Sequence, residues 1–256
     1  MAKLLKLRLG VSDDPTALQP SLNDCLEAML GQTEGVVAEM LQALVVGATS
    51  DGPRRIAGFQ AAGVKMAVLE LSTKGKAFTD TFRQELSRLV YQGGGKDQAH
   101  TEVLRFEDLQ LFADEQLDQS IEVARAQQEV AAAVDKALPP LDALLSTMLG
   151  WRTIQPGLNP IRPDVYVRSL QHALQAHVPN DGVREKLITP AAGIMGVQLA
   201  KLYRELADWL RSTGIEPAVP VGGRLLKGAG ASASAPVNDA ATKTLLTLDR
   251  LRKLLA

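Results

Sequence analysis

Cysteine is almost missing from this chain. Cys25 is the single one in 256 residues, which excludes an intrachain disulfide and any multi-cysteine zinc site. A lone thiol suits a reducing compartment, so a cytoplasmic location is expected. Aromatic residues are also scarce, at 4%. Strands favour Val, Ile, Thr and aromatics, whereas Leu and Ala dominate here, and that balance favours packed helices over a β-sandwich. Neither sign of charge prevails: 28 basic and 29 acidic residues leave a net charge of −1. No field of the whole molecule would draw in nucleic acid, and no nucleic-acid partner is expected. No run of about 18 apolar residues occurs, so no transmembrane segment is expected. The opening Met1–Gly10 sets Lys3, Lys6 and Arg8 among leucines, and a secretory signal needs an unbroken apolar stretch.

What the chain does have is apolar content, 46% of its residues, arranged at helical spacing. Pro20-Ser21 offers a helix start, and Leu22, Cys25, Leu26, Met29 and Leu30 follow on one stripe. Gly31 is expected to end that helix, with Thr33 capping a second that carries Val36, Val37, Met40, Leu41, Leu44 and Val45. A third helix is expected from about Pro53 to Thr73, where Gly58 and Gly63 suggest a close backbone crossing or a kink. A fourth spans about Ala77 to Gln92, and Gly93-Gly94-Gly95-Lys96-Asp97 breaks the chain. A long helix from Asp114 reaches Pro139-Pro140, which interrupt it before Leu141, Leu144, Leu145 and Met148. Pro163 opens another helix, and a last one from about Gly182 to Ser212 holds Pro190, where a kink or break is expected.

The fold expected is therefore all-α. It is a multi-helix bundle in two packed subdomains, 1–95 and 101–217, then a flexible linker over 218–238 and an amphipathic docking helix at 239–256. The linker is rich in Gly, Ala and Ser, which bury little. The terminal segment places Leu245, Leu248, Leu251 and Leu255 on an apolar stripe, with Lys243, Arg250, Arg252 and Lys253 supplying positive charge.

Few strings carry chemistry. Gly93-Gly94-Gly95-Lys96 resembles a phosphate loop, but Asp97 stands where Ser or Thr is required and a helix precedes it in place of a strand. His172 and His177 lie about 140° apart around a helix and do not converge on a metal. Asp114, Glu115, Asp118, Glu122 and Glu129 read as a solvated face whose first members favour the positive helix end. Cys25 lies on an apolar stripe and reads as a core thiol rather than a nucleophile. Trp151 and Trp209 read as packing or interface anchors. The most distinctive string is Asn159-Pro160-Ile161-Arg162-Pro163-Asp164. It is either an architectural loop stiffened by two prolines or a partner-recognition loop with Arg162 as its anchor.

Four strings together carry a family resemblance: Asp114-Glu115-Gln116-Leu117, Asn159 to Asp164, Leu202-Tyr203-Arg204-Glu205-Leu206, and Gly214-Ile215-Glu216-Pro217. Through them the segment from about Leu104 to Pro217 resembles the C-terminal region of an uncharacterised proteobacterial family of long helical proteins. Some of its members are labelled putative thymidine phosphorylase. The resemblance implies a bacterial source and a helical fold, and no activity.

No catalytic residue, cofactor or metal is expected from these readings. The leading expectation is a non-enzymatic interaction or regulatory protein. Its partner-binding residues would be Arg162 and, on the terminal helix, Leu245, Leu248, Leu251, Arg252 and Leu255, holding a protein partner or a second copy of the chain. The alternatives are a small-ligand or nucleotide sensor, or an enzyme whose site is assembled between the helical subdomains.

Overall fold

A computed structural model describes residues 19–50, 56, 59, 61–92 and 114–220. The glycine-rich break at 93–97, most of the linker and the terminal segment with Leu245, Leu248, Leu251, Arg252 and Leu255 lie outside the described residues.

Among these residues are seven α-helices and no strand: α1 (Leu22–Thr49), α2 (Ala62–Thr73), α3 (Gly75–Gln92), α4 (Asp114–Val134), α5 (Leu138–Met148), α6 (Pro163–His177) and α7 (Asp181–Ser212). The fold is all-α. Ser21 starts α1 with a reciprocal cap: Asp24 N–H donates to Ser21 Oγ at 3.2 Å, and Ser21 N–H donates to Asp24 Oδ2 at 2.9 Å. Two orphan donors of the first turn are thereby satisfied.

Three boundaries differ from the sequence reading. First, α1 runs unbroken through Gly31 to Thr49. The apolar stripe continues across the glycine, from Met29 through Thr33 to Val36, Val37 and Met40, all buried. That burial outweighs the roughly 1 kcal/mol helix penalty of one glycine. Thr33 does not cap; its hydroxyl donates to the Met29 carbonyl at 3.3 Å, one turn back. Second, α2 starts only at Ala62. Ile56 lies outside it, donating its N–H to the Gly47 carbonyl at 3.1 Å. Gly63 has open space where a Cβ would stand, so it makes no close crossing. Third, α7 passes through Pro190 as one 32-residue helix, without the expected break. A proline removes one helical N–H, here the donor to the Lys186 carbonyl. Lys186 is exposed, so water can satisfy that carbonyl.

The prolines elsewhere act as expected. Val134 ends α4 and residues 135–137 turn, so that Pro139 and Pro140 fall in the first turn of α5, where a missing N–H is harmless. Pro163 likewise opens α6.

The centre of the bundle is α7, which packs against α1, α2, α4, α5 and α6, while α3 packs against α1 and α6. Its inward face includes Leu187, Ala191, Met195, Leu199, Tyr203 and Leu210, none of them exposed. The helices before residue 93 and those after residue 113 contribute to one continuous core. Helices α4 and α7 cross closely at Gly196. A Cβ on Gly196 would stand 2.9 Å from Ala133 Cβ and 3.2 Å from Val130 Cα. Only glycine lets the two backbones approach so closely.

Candidate functional site

Among the described residues, the most elaborate connection lies between α5 and α6, residues 149–162. It leaves α5 through Gly150, whose φ of +83° is open to glycine and strained for other residues. Trp151 N–H then donates to the Ser146 carbonyl at 2.8 Å, closing the helix end. Residues 152–154 run parallel to the chain after α7. Ile154 N–H donates to the Val219 carbonyl at 3.0 Å, and Val219 N–H to the Arg152 carbonyl at 3.1 Å. A single 3-10 turn, Pro156–Leu158, leads to Asn159.

A buried polar chain holds this loop. Ser146 Oγ donates to the Asp142 carbonyl at 2.6 Å and accepts the Gln155 N–H at 2.9 Å. Asn159 Nδ2 donates to Asp142 Oδ1 at 2.7 Å, and Asn159 Oδ1 accepts the Ile161 N–H at 2.9 Å. Tyr203 Oη, reaching across from α7, donates to the Ile161 carbonyl. Asp142, Ser146, Asn159 and Tyr203 are all buried. In that setting each unmade bond would cost about 1–3 kcal/mol, so the network fixes the loop in one conformation. Burial raises the Asp142 carboxyl above its ordinary range, opposed by the Asn159 hydrogen bond and the Arg162 charge. Burial also raises the phenols of Tyr166 and Tyr203. Tyr166 Oη is buried with no hydrogen-bond partner.

Arg162 caps this arrangement. Its Nη1 donates to the Gly157 carbonyl at 2.8 Å, and its Nε lies 3.3 Å from Asp164 Oδ1. Its side chain stays 34% exposed. Asp164 stands in the first turn of α6, where the helix dipole favours a carboxylate. The loop leaves two large apolar side chains in solvent, Trp151 at 49% and Leu158 at 37% exposure. Trp209 instead packs against the core.

The other sequence candidates do not converge. His177 Nε2 lies 3.0 Å from Thr81 Oγ1, with its ring tilted against Phe78 at 5.7 Å. His172 is exposed on α6. Cys25 is fully buried, its Sγ 3.8 Å from Met148 Sδ. Burial and the nearby Asp24 carboxylate push its thiol up to about 12. Of the acidic residues on α4, Glu122 pairs with Arg125 at 3.0 Å and accepts Thr189 Oγ1 at 3.0 Å, tying α4 to α7. Among the described residues no three His, Cys, Asp or Glu side chains are grouped to hold a metal ion. No helix among them is long and apolar enough to cross a membrane.

Sequence reading singled out Arg162 and its string, and Tyr203 within a resembling string, but missed Asp142 and Ser146. The one available signal was Asp142 itself, a lone carboxylate inside the apolar run Leu141–Leu145. Such a residue on a buried helix face needs a partner.

No curated protein and no solved structure matches the chain. A family model does, described as "Protein of unknown function (DUF1631) N-terminal domain", over residues 20–214. The match is to the family's N-terminal domain and takes in α1 to α7, a wider span than the second half in which the resembling strings lie. The family is thus shown over more than half of the sequence, and the chain belongs to it.

Proposed function

We propose that this domain is a non-enzymatic interaction module that binds a protein partner through the loop between α5 and α6. The observation that carries the reading is Trp151, a half-exposed indole on a loop whose backbone is tied down by buried hydrogen bonds. Tryptophan and arginine are enriched among residues that dominate binding energy. A loop already fixed in one conformation loses little entropy on binding. Arg162, partly exposed and braced on Gly157, supplies a charged anchor at the other end of the same loop.

The terminal segment adds a second binding element to the proposal, on sequence grounds alone. Leu245, Leu248, Leu251 and Leu255 with Arg252 suit helix-in-groove recognition of another protein or of a second copy. The lone cysteine and the family resemblance support a bacterial, cytoplasmic setting.

The test is a partner captured by a photo-crosslinker at position 158 of the full chain. Trp151→Ala and Arg162→Ala should each weaken binding of that purified partner at least tenfold, with thermal unfolding unchanged in Trp151→Ala and somewhat lowered in Arg162→Ala, which also loses the bond to the Gly157 carbonyl. Unaltered affinity in both variants would reject the loop. A clear rise in melting temperature with a nucleotide, zinc or magnesium at micromolar concentration would instead favour a ligand-binding or catalytic role, since a native-state ligand stabilises by mass action.

A further inference from the structure

A shallow groove of about 280 Å³, open solvent space included, lies where α4, α6 and α7 meet. Leu174 and Ile188 are buried and form its base, with the half-buried Val123 beside them. Its rim is polar. Arg184 borders it with its charge already paired: Nη1 donates to the Val178 carbonyl at 2.8 Å and the Pro179 carbonyl at 3.2 Å, Nη2 pairs with Asp181, and only the buried Nε has no hydrogen-bond partner. Glu122 is shared with Arg125 and Thr189. Glu185 also lines the groove, half-buried, and has no ion pair or hydrogen bond among the described residues. The uncommitted charge of the groove is thus a carboxylate above an aliphatic floor.

We propose that this groove receives one basic side chain, lysine or arginine, from a partner protein. Such a side chain is an apolar stem ending in a cation, and it matches the groove part for part. Its methylenes lie over Leu174, Ile188 and Val123, and its head pairs with Glu185. The amides of Gln171 and Gln175 on α6 offer further acceptors. An anionic ligand would face the unpaired Glu185, with the Arg184 charge already paired to Asp181. The enclosed part of the groove, about 20 Å³, argues against a cofactor as well, because pockets for drug-sized ligands run to about 300–1,000 Å³ and enclose most of the ligand. The site lies apart from the α5–α6 loop, so its fate and that of the loop are decided by different variants.

The probes are N-acetyl-L-arginine amide and N-acetyl-L-lysine amide, titrated into the full chain carrying labelled Val, Leu and Ile methyls. N-acetyl-L-norleucine amide, with a similar stem and no charge, is the control. The expected result is a saturable shift of the Val123, Leu174 and Ile188 methyl signals with either cation, at a roughly millimolar dissociation constant, as weak single-group contacts give. Glu185→Gln should weaken the cations about tenfold or more, as loss of a charge-assisted bond implies, and leave distant methyl signals in place. Trp151→Ala should change nothing here. Equal shifts with the norleucine amide would overturn the proposal, leaving only an apolar patch. Unchanged affinity in Glu185→Gln, or shifts that never saturate, would overturn it too.

Discussion

Two corners of this bundle are held by opposite means. Where α4 crosses α7, contact is apolar and close, made possible by Gly196 against Val130 and Ala133. Where α5 gives way to α6, the chain is held by directional bonds among Asp142, Ser146, Asn159 and Tyr203. Close packing sets how two helices lie but does not order a loop. A hydrogen-bond network orders a loop, at the expense of burying polar groups that each need a partner. A scaffold and a presented surface are thus built by different chemistry, and mutations should separate them.

Removing a network member should have the largest effect. Asn159→Ala leaves the buried Asp142 carboxylate without its donor and the Ile161 N–H without its acceptor. At about 1–3 kcal/mol for each stranded group, and more for a charged one, the loss should reach about 3 kcal/mol in urea unfolding. A loss under about 1 kcal/mol would mean that the loop relaxes to find water, and that its rigidity is overstated.

Asp142→Asn sharpens the same corner through pH. The Asp142 carboxyl is raised in the folded chain, above its ordinary 3.8. The group therefore adds stability fully below that ordinary value, and the contribution is lost as pH rises through the folded value. Replacing it by a neutral amide removes this dependence. The variant should gain on the wild type as pH rises from about 3.8 upward. A difference flat in pH would show that the Asn159 bond and the Arg162 charge cancel the burial. The depressed Glu85 carboxyl, held by Arg88, works in the opposite sense but is common to both proteins.

At the apolar corner, Gly196→Ala should destabilise by about 1–2 kcal/mol. Overpacking costs about 1–3 kcal/mol, and the helix preference of alanine returns up to about 1. Gly193 tests the comparison on the same helix. It has open space where its Cβ would stand, so Gly193→Ala should stabilise by up to about 1 kcal/mol. Equal effects at the two sites would remove the case for a close crossing.

The same contrast explains what was legible in the sequence. The helices were, because an apolar stripe repeats locally: Phe78, Phe82, Leu86 and Leu89 announce α3 without knowledge of anything else. Gly31 misled because a single residue's helix penalty is a local signal, while the burial that overrides it comes from elsewhere in the core. At Pro190 the helix runs on without a break, since the proline's lost bond falls at the carbonyl of an exposed residue, Lys186. The site was only half legible. The two prolines around Arg162 marked a rigid string, yet its partners lie far away along the chain. Asp142 precedes Asn159 by 17 residues, and Tyr203 follows Ile161 by 42. No period links them, so no pattern in the sequence predicts which carboxylate meets which amide. Gly196 was likewise silent, because a helical glycine reads the same whether it faces water or a neighbouring backbone.

The smallest effect on stability should come from Trp151, and it separates presentation from support. The indole is half exposed, and the loop's order rests on backbone groups and on Asn159, Ser146 and Asp142 rather than on this side chain. The Trp151 N–H that closes the α5 end belongs to the backbone and survives truncation. Trp151→Ala should therefore change unfolding by no more than about 0.5 kcal/mol, as surface substitutions do. Asn159→Ala, which leaves the indole in the sequence but loosens its support, should weaken a partner by raising the entropy lost on binding. Trp151→Ala should weaken the same partner with no such loosening. Amide hydrogen exchange at Gln155 and Ile161 distinguishes the two: fast in Asn159→Ala, unchanged in Trp151→Ala. If Trp151→Ala instead lowers stability by 1 kcal/mol or more — about twice the surface range — the indole is part of the brace, and an exposed aromatic on a fixed loop ceases to argue for a partner.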